Sequence, residues 1–267
     1  MIDLTLRSSL FGVLLMYSLT VVTVNGNGAK IVGGQKAEEH IPYQVSLQHW
    51  TKSSKTGQLA WVPICGGAII SKKSVLTVVH CLHKHEPANL SVVVGTNDLR
   101  NNGSKGTRHM VSRTLIHSDF LSTQKSEIGI AYVVEDFTFG PNVTAITYSD
   151  NQVGAGVECT LSGWGYTTSQ RIGPEPQDLQ KVTLKTISNA KCRDLWPEVH
   201  PKQICTYTKV GKGACMGDSG GPLVCGGELV GLVDYGAQVC AFGLPDVYTR
   251  VSKFKAWIDL NKKSAVC

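Results

Sequence analysis

The chain has 267 residues and a formal net charge of +6. This length is enough for a full hydrophobic core, and all-β barrel proteins of this size often form one domain. The basic residues are scattered and no basic stripe carries interleaved aromatic residues, which argues against a nucleic acid partner.

The first residues have the order of a secretory signal peptide. Arg7 precedes a mostly apolar run over residues 10–24, and small polar residues follow it. A charged start, an apolar centre and a polar end are typical of such a leader, which we predict over residues 1–24. The alternative is a membrane anchor, but the run is shorter than the ~20 apolar residues that a spanning helix needs.

The cysteines agree with export from the cell. The chain has nine of them, spread without the tight spacing of a metal site. In an oxidising compartment most would form disulfides. Three Asn-x-Ser/Thr sequences, at Asn89, Asn102 and Asn142, are candidate glycosylation sites in such a protein. We therefore expect a secreted, extracellular protein.

Short β-rich runs separated by Gly, Asn, Pro and Ser predict an all-β sandwich or barrel. Examples are residues 43–48, 67–70, 91–94, 157–163, 181–187, 222–225, 228–233 and 247–251. One helix is expected at the end of the chain, with Ser252 as its N-cap and Phe254, Trp257 and Ile258 on one face.

The most informative segment is CMGDSGGP at residues 215–222, in which three glycines surround Ser219. Glycine reaches backbone conformations with positive φ and lets another chain or a ligand come close. Such a loop can aim several N–H groups at one point beside a serine hydroxyl. Acyl transfer requires this combination of a nucleophile and hydrogen-bond donors for the developing oxyanion.

A candidate base is His80, which follows an apolar run that is expected to be a strand and precedes Cys81. Cys65 lies sixteen residues before Cys81. A disulfide between the two would close a loop worth about 3 kcal/mol in the chain-entropy model and would fix the backbone that carries His80.

With these residues the chain resembles the secreted serine peptidases of the chymotrypsin–trypsin family from Ile31 to the expected C-terminal helix. The motifs that carry the resemblance are IVGG at 31–34, PYQVSL at 42–47, CGG at 65–67, HC at 80–81, GWG at 163–165, the Ser219 segment, and VYTRV at 247–251. The resemblance implies two six-stranded antiparallel β-barrels with a C-terminal α-helix. The domain would cover residues 31–267, with the boundary between the barrels near residue 150.

The family's mechanism, transferred to this chain, makes Ser219 the nucleophile and His80 the general base, with the N–H groups of Gly217 and Ser219 as the oxyanion hole. Residues 25–30 would be a short propeptide. Cleavage between Lys30 and Ile31, by an activating protease that cuts after Lys or Arg, would free an amine that pairs with Asp218.

Two positions depart from the family. Glu127 stands where the orienting aspartate is expected, and it is longer by one bond, about 1.5 Å. Asp234 replaces a serine that normally neighbours this carboxylate. Two close carboxylates do not ionise easily together. Either Asp234 shares or takes over the orienting role and the site is active, or the site is degraded; the intact Ser219 and His80 favour activity.

The expected specificity pocket is also unusual. Its base has Gly213, followed by Ala214, where trypsin-like members have an aspartate that selects Lys or Arg, while Gly236 leaves the mouth open. Asp246 on the opposite wall could receive a basic side chain, or be hydrogen-bonded away and leave an apolar slot. We expect a preference for large apolar residues with some cleavage at basic ones. Met216 and Tyr235 complete the expected substrate-binding residues. The segment GLPDVY at residues 243–248, which contains Asp246, resembles that of some invertebrate digestive peptidases.

The family pattern also implies the remaining disulfides, Cys159–Cys225, Cys192–Cys205 and Cys215–Cys240, and leaves Cys267 free or joined to another chain. We expect no cofactor and no metal, because the region of the family's calcium loop has only Asp98 as a carboxylate and His83 and His85 lack a third ligand. We expect the protein to be a monomer that does not associate with a membrane. Its expected partners are protein or peptide substrates and protein inhibitors.

Two functions therefore remain: a secreted serine endopeptidase made as a zymogen, or a catalytically weak or inactive homologue that acts as a binding or regulatory protein.

Overall fold

The computed structural model describes residues 31–54, 56–148, 150–169, 176–207 and 209–263. The predicted signal peptide, the propeptide with Lys30, and Cys267 lie outside these residues. Across the described ranges, no helix is long and apolar enough to cross a membrane.

Strands dominate the fold. They are β1 (Gln35–Lys36), β2 (Gln44–Lys52), β3 (Leu59–Ser71), β4 (Ser74–Thr77), β5 (Leu90–Val94), β6 (Thr107–Ile116), β7 (Gly129–Val133), β8 (Glu158–Gly163), β9 (Gln180–Ile187), β10 (Gln203–Tyr207), β11 (Pro222–Cys225), β12 (Glu228–Tyr235) and β13 (Asp246–Arg250). The α-helices are short: α1 (Arg100–Gly103), α2 (Ser118–Thr123), α3 (Asn189–Arg193) and α4 (Lys255–Asn261).

The first barrel is a closed antiparallel sheet in the order β2-β3-β4-β7-β6-β5. Strands β4, β5 and β7 are buried along their whole length, which their apolar composition permits. The core of this barrel continues into Val251, Phe254 and Ile258 near the C-terminus. The C-terminal helix therefore packs on the first barrel, although it directly follows the last strand of the second.

The second barrel is built from β8 to β13, in the order β9-β10-β13-β12-β11-β8, and it is closed by the pairing of β8 with β9. Strand β1 joins the outside of β9. Its core is a separate apolar cluster that contains Ile31, Leu161, Leu223 and Tyr248. The predicted fold of two six-stranded antiparallel barrels with a C-terminal helix is thus confirmed.

The start of the C-terminal helix differs from the prediction. Ser252 is not its N-cap, because it lies inside a 3-10 turn, Val251–Phe254, that precedes α4. Val251 and Phe254 are both buried in the first barrel's core. Their burial places the residues around Ser252 in this turn, and this tertiary contact outweighs the capping preference of serine.

All four expected disulfides are present: Cys65–Cys81, Cys159–Cys225, Cys192–Cys205 and Cys215–Cys240. The first ties β3 to the 3-10 turn Val79–Cys81, which contains His80. The last joins Cys215, in the segment that contains Ser219, to the loop between β12 and β13.

Candidate active site

His80 lies just after β4, on the 3-10 turn whose neighbours Val79 and Cys81 are buried. Because these two side chains anchor the turn, the His80 side chain between them projects outward and is 43% exposed. The turn therefore presents a histidine to solvent on a rigid part of the first barrel.

Glu127 reaches His80 with one carboxylate oxygen. Oε1 accepts a hydrogen bond from the backbone N–H of His80 at 2.7 Å and lies 2.8 Å from its Nδ1. The backbone carbonyl of Glu127 accepts a bond of 2.6 Å from Thr249 Oγ1 on β13. The extra methylene is thus accommodated, since the carboxylate is within hydrogen-bond distance of the ring nitrogen. With Nδ1 protonated and bonded to Glu127, Nε2 is left as the acceptor.

Asp234, near the end of β12, joins this pair. Ligand atoms of His80, Glu127 and Asp234 all lie within 4.8 Å of one another. Asp234 Oδ2 accepts a hydrogen bond of 3.0 Å from Gln203 Nε2. Loss of hydration raises the pKa of Asp234 to about 7, and the charge of Glu127 adds to this rise, while Gln203 and His80 oppose it.

Gln203 is not among the site residues predicted from the sequence. The available signal was a glutamine at the start of a short apolar run, and its partner is 31 residues away in the sequence. Only the pairing of β10 with β13 and of β13 with β12 brings the two residues to the same place.

The loop before Ser219 is built around a buried aspartate. Asp218 is completely buried and accepts hydrogen bonds from the N–H groups of Gly165 at 2.8 Å and Cys215 at 2.9 Å. A Cβ on Gly163 or Gly165 would come closer than 3.0 Å to its carboxylate. The GWG motif therefore provides the space that the Asp218 side chain occupies.

Burial raises the pKa of Asp218 to about 7, and the two amide donors only partly offset this effect. Within the described chain, these two amides are the groups that stabilise its charge. An additional cation next to Asp218 would lower this pKa again.

Ser219 is held through its backbone. Its carbonyl accepts a hydrogen bond of 2.7 Å from the N–H of Gly66 on β3, which connects the serine loop to the first barrel. Gly217 has a φ of 95° and packs against Gly165. Among the described groups, no protein acceptor receives a hydrogen bond from the N–H of Gly217 or Ser219.

The segment after the predicted cleavage point lies beside this loop. Ile31 is completely buried in the second barrel's core, and Val32 pairs with Gly213 as an isolated antiparallel bridge. The N–H of Gly213 donates to the carbonyl of Val32 at 3.0 Å. Gly213 therefore pairs with Val32, and it is not among the residues that line the neighbouring cavity.

A cavity of about 200 Å³ opens next to Ser219. Its lining includes all other predicted substrate-binding residues, namely Ala214, Met216, Tyr235, Gly236 and Asp246, together with Asp234. Asp246 is buried, and its Oδ2 accepts a bond of 2.7 Å from the N–H of Ala214. Burial and the nearby Asp218 raise the pKa of Asp246 to about 7. A Cβ on Gly236 would lie 2.8 Å from Asp246 Oδ1, so glycine at this position leaves the space that the carboxylate oxygen needs.

Potential metal ligands in the described residues fall into two groups, Cys65 with His80 and Cys81, and His80 with Glu127 and Asp234. The cysteines of the first group form a disulfide. The second group is the carboxylate–histidine cluster itself. In the region of the family's calcium loop, the Asp98 carboxylate is paired with Arg100 and Lys105.

Comparison with known proteins adds an independent finding. The trypsin family model matches residues 31–258. The chain is 35% identical to chymotrypsin-2 of Vespa crabro over 87% of this chain and 100% of that protein. It is 35% identical to hypodermin-B of Hypoderma lineatum, over 88% of each. Kallikrein-11 of Mus musculus is 30% identical, over 92% of this chain and 87% of the relative.

Proposed function

Because the chain belongs to the trypsin family, we propose that it is a secreted serine endopeptidase, made as a zymogen and activated by cleavage after Lys30. The observation that carries this proposal is the contact of Glu127 with both the backbone N–H and Nδ1 of His80. It leaves Nε2 free to act as a base toward the serine loop.

In the proposed reaction, His80 Nε2 removes the proton of Ser219 Oγ as this oxygen attacks the substrate carbonyl. The N–H groups of Gly217 and Ser219 stabilise the oxyanion; one such donor is typically worth about 10²–10³ in rate. His80 then protonates the leaving amine, and water hydrolyses the acyl-enzyme by the reverse sequence. Glu127 orients His80, and Asp234, once ionised, adds a second negative charge that stabilises the imidazolium.

Asp218 supports the proposed zymogen mechanism. It is a buried carboxylate whose charge is stabilised by two amides of the described chain. Cleavage after Lys30 would create an ammonium group on Ile31, whose side chain is already buried and whose neighbour Val32 pairs with Gly213. Pairing of this ammonium with Asp218 would stabilise the loop that carries the oxyanion donors.

For substrate preference, we propose large apolar residues with additional cleavage at basic ones. Ala214 and Gly236 leave room for a large side chain. Asp246 accepts one backbone hydrogen bond through Oδ2, and its Oδ1 points toward Gly236. At high pH the ionised Asp246 can pair with a basic side chain of the substrate. At low pH Asp246 is protonated and carries no charge.

The remaining features of the proposal are extracellular location, an activating protease that cuts after basic residues, protein inhibitors, and a monomeric state. Four disulfides support an oxidising compartment. The side chains of Asn89 and Asn142 are exposed, which is compatible with glycosylation.

The alternative function is a binding protein on the same scaffold with a weak or inactive site. It follows from the two departures at Glu127 and Asp234. Labelling with a fluorophosphonate after cleavage at Lys30 separates the two functions. We expect stoichiometric labelling of the cleaved protein and none of the Ser219→Ala and His80→Ala variants. A folded, cleaved sample that remains unlabelled would support the binding protein.

The role of Asp234 is tested by ester hydrolysis with the Asp234→Ser and Glu127→Gln variants. We expect both to be slower than the wild type. A rate that is unchanged or higher in Asp234→Ser would show that Asp234 does not share the orienting role.

A further inference from the structure

Gln203 is buried, with only 6% of its surface exposed, and both ends of its side-chain amide have partners. Nε2 donates to Asp234 Oδ2 at 3.0 Å, and Oε1 accepts from the backbone N–H of His200 at 3.3 Å. The partner of Oε1 is a donor and the partner of Nε2 is a carboxylate, so the orientation of the amide is defined by its contacts.

The backbone around Gln203 is equally well anchored. Its carbonyl accepts hydrogen bonds of 3.0 Å each from Arg250 Nε and Asn189 Nδ2. Its register partner on β13 is Thr249, whose hydroxyl holds the carbonyl of Glu127. The cross-strand pair of Gln203 and Thr249 therefore contacts both acidic residues of the site: Gln203 contacts Asp234, and Thr249 contacts Glu127.

We propose that Gln203 is a positioning residue: its amide fixes the carboxyl group of Asp234 beside the His80–Glu127 pair and so sets the pH range in which this pair works. The inference rests on the proposed function, because Asp234 influences the reaction only if His80 is the base. It goes beyond that function by assigning a role to a residue that does not line the substrate cavity.

The physical reason is the protonation state of Asp234. Its carboxyl group faces His80 and Glu127 from the first barrel, Tyr235 on its own strand and the neutral amide of Gln203. Burial raises its pKa to about 7, and the hydrogen bond from Gln203 works in the opposite direction. Since an amide cannot ionise, it stabilises the carboxylate without adding a charge. The fraction of ionised Asp234 near neutral pH therefore depends on Gln203.

The test uses Gln203→Met, which keeps similar bulk and removes the donor. Without the donor the charged form of Asp234 is less stable, so its pKa rises. We expect the acid limb of the kcat/KM profile to move to higher pH by about half to one unit. The same shift should appear when the carboxyl carbon of Asp234 is titrated by NMR in the Ser219→Ala background. Gln180→Met, which replaces a buried glutamine on β9, is the matched control and should leave both titrations unchanged.

A double-variant cycle distinguishes positioning from general structural support. In Asp234→Ser, adding Gln203→Met should no longer move the acid limb. A folded Gln203→Met protein that is slower at every pH, with the Asp234 titration unmoved, would overturn the proposal. If the methionine variant does not fold, Gln203→Glu, which has the same shape, replaces it in this test. Its added carboxyl group should also move the Asp234 titration to higher pH.

Failure of the proposed function looks different. In that case the cleaved wild type would neither hydrolyse esters nor be labelled at Ser219, whereas the NMR titration would still report the coupling between Gln203 and Asp234. An unmoved titration in that inactive protein would reject the positioning role as well.

Discussion

At the residue scale, the contact of Glu127 with His80 shows how a longer side chain fits a site that usually holds aspartate. Its carboxylate oxygen contacts two atoms of His80, at 2.7 and 2.8 Å. Shortening the side chain by one bond would withdraw the carboxylate by about 1.5 Å unless the backbone moved. The backbone is restrained, since Thr249 holds the Glu127 carbonyl.

The first prediction follows from this restraint. Glu127→Asp, although it restores the residue usual in the family, should lower kcat for ester hydrolysis by about tenfold or more, and Glu127→Ala should lower it by at least about 10²-fold. Glu86→Ala, an exposed glutamate of the same barrel, is the control and should leave kcat unchanged. A Glu127→Asp enzyme as fast as the wild type would contradict the assigned fit.

The second prediction concerns Asp246 in the specificity cavity. Its pKa is raised to about 7, so the carboxylate is present above this pH and lost below it. The ratio of kcat/KM for an arginine ester to that for a phenylalanine ester should therefore fall as the pH drops from 8 to 6. In Asp246→Asn the ratio should be low and independent of pH. A strict arginine preference at both pH values would refute the proposed broad specificity.

At the element scale, the GWG segment at the end of β8 and the serine loop form one packing unit. The carboxylate of Asp218 fills the space above Gly163 and Gly165, while Trp164 is buried in a separate cluster with Leu99 and Leu179. The tryptophan anchors the segment, and the glycines on either side admit the aspartate. This division of roles explains why the motif alternates small and large residues.

The third prediction tests this unit with Gly165→Ala. The added methyl group would overlap with Asp218, and overpacking of this kind costs typically about 1–3 kcal/mol. We expect a corresponding loss in the free energy of unfolding and slower labelling of Ser219, because the loop with the oxyanion donors is displaced. Gly154→Ala is the control, since a Cβ there meets no atom within 4 Å. Equal stability of both variants would show that Asp218 can move without cost.

At the scale of the whole molecule, the described part of the second barrel contains three carboxylates with strongly raised pKa values. Asp218, Asp234 and Asp246 each rise from 3.8 to about 7. Between these two values the folded protein binds more protons than the unfolded chain. The contribution of these groups to stability is therefore greatest below about pH 4 and decreases as the pH rises toward 7 and above.

The fourth prediction compares the chain before and after cleavage at Lys30, in the Ser219→Ala background to prevent self-digestion. The intact chain should have a Tm lower at pH 8 than at pH 5, by about 5 °C or more. After cleavage this difference should shrink, because the new ammonium group stabilises ionised Asp218. The same pH dependence in both forms would show that the Ile31 ammonium does not pair with Asp218.

Much of the fold could be predicted from the sequence because β-rich runs and turn residues alternate along the chain. Strands such as β5, β8 and β11 agree closely with the predicted runs. Strands β6 and β10 are absent from those runs, since β6 carries charged residues and β10 begins with a glutamine. Their identity as strands depends on partners distant in the sequence, which complete the hydrogen bonds of each barrel.

The sequence by itself determined an all-β fold and the types of side chain available at the site, because these follow from local patterns; the two barrels and the full set of four disulfides were implied by the resemblance of its motifs to the chymotrypsin–trypsin family. Only the tertiary structure decided that Glu127 reaches His80, that Gln203 holds Asp234, and that Asp246 lies buried against Ala214. These contacts join residues from different strands and from both barrels. The resulting pKa shifts depend on burial and on neighbouring charges, which exist only once the chain has folded.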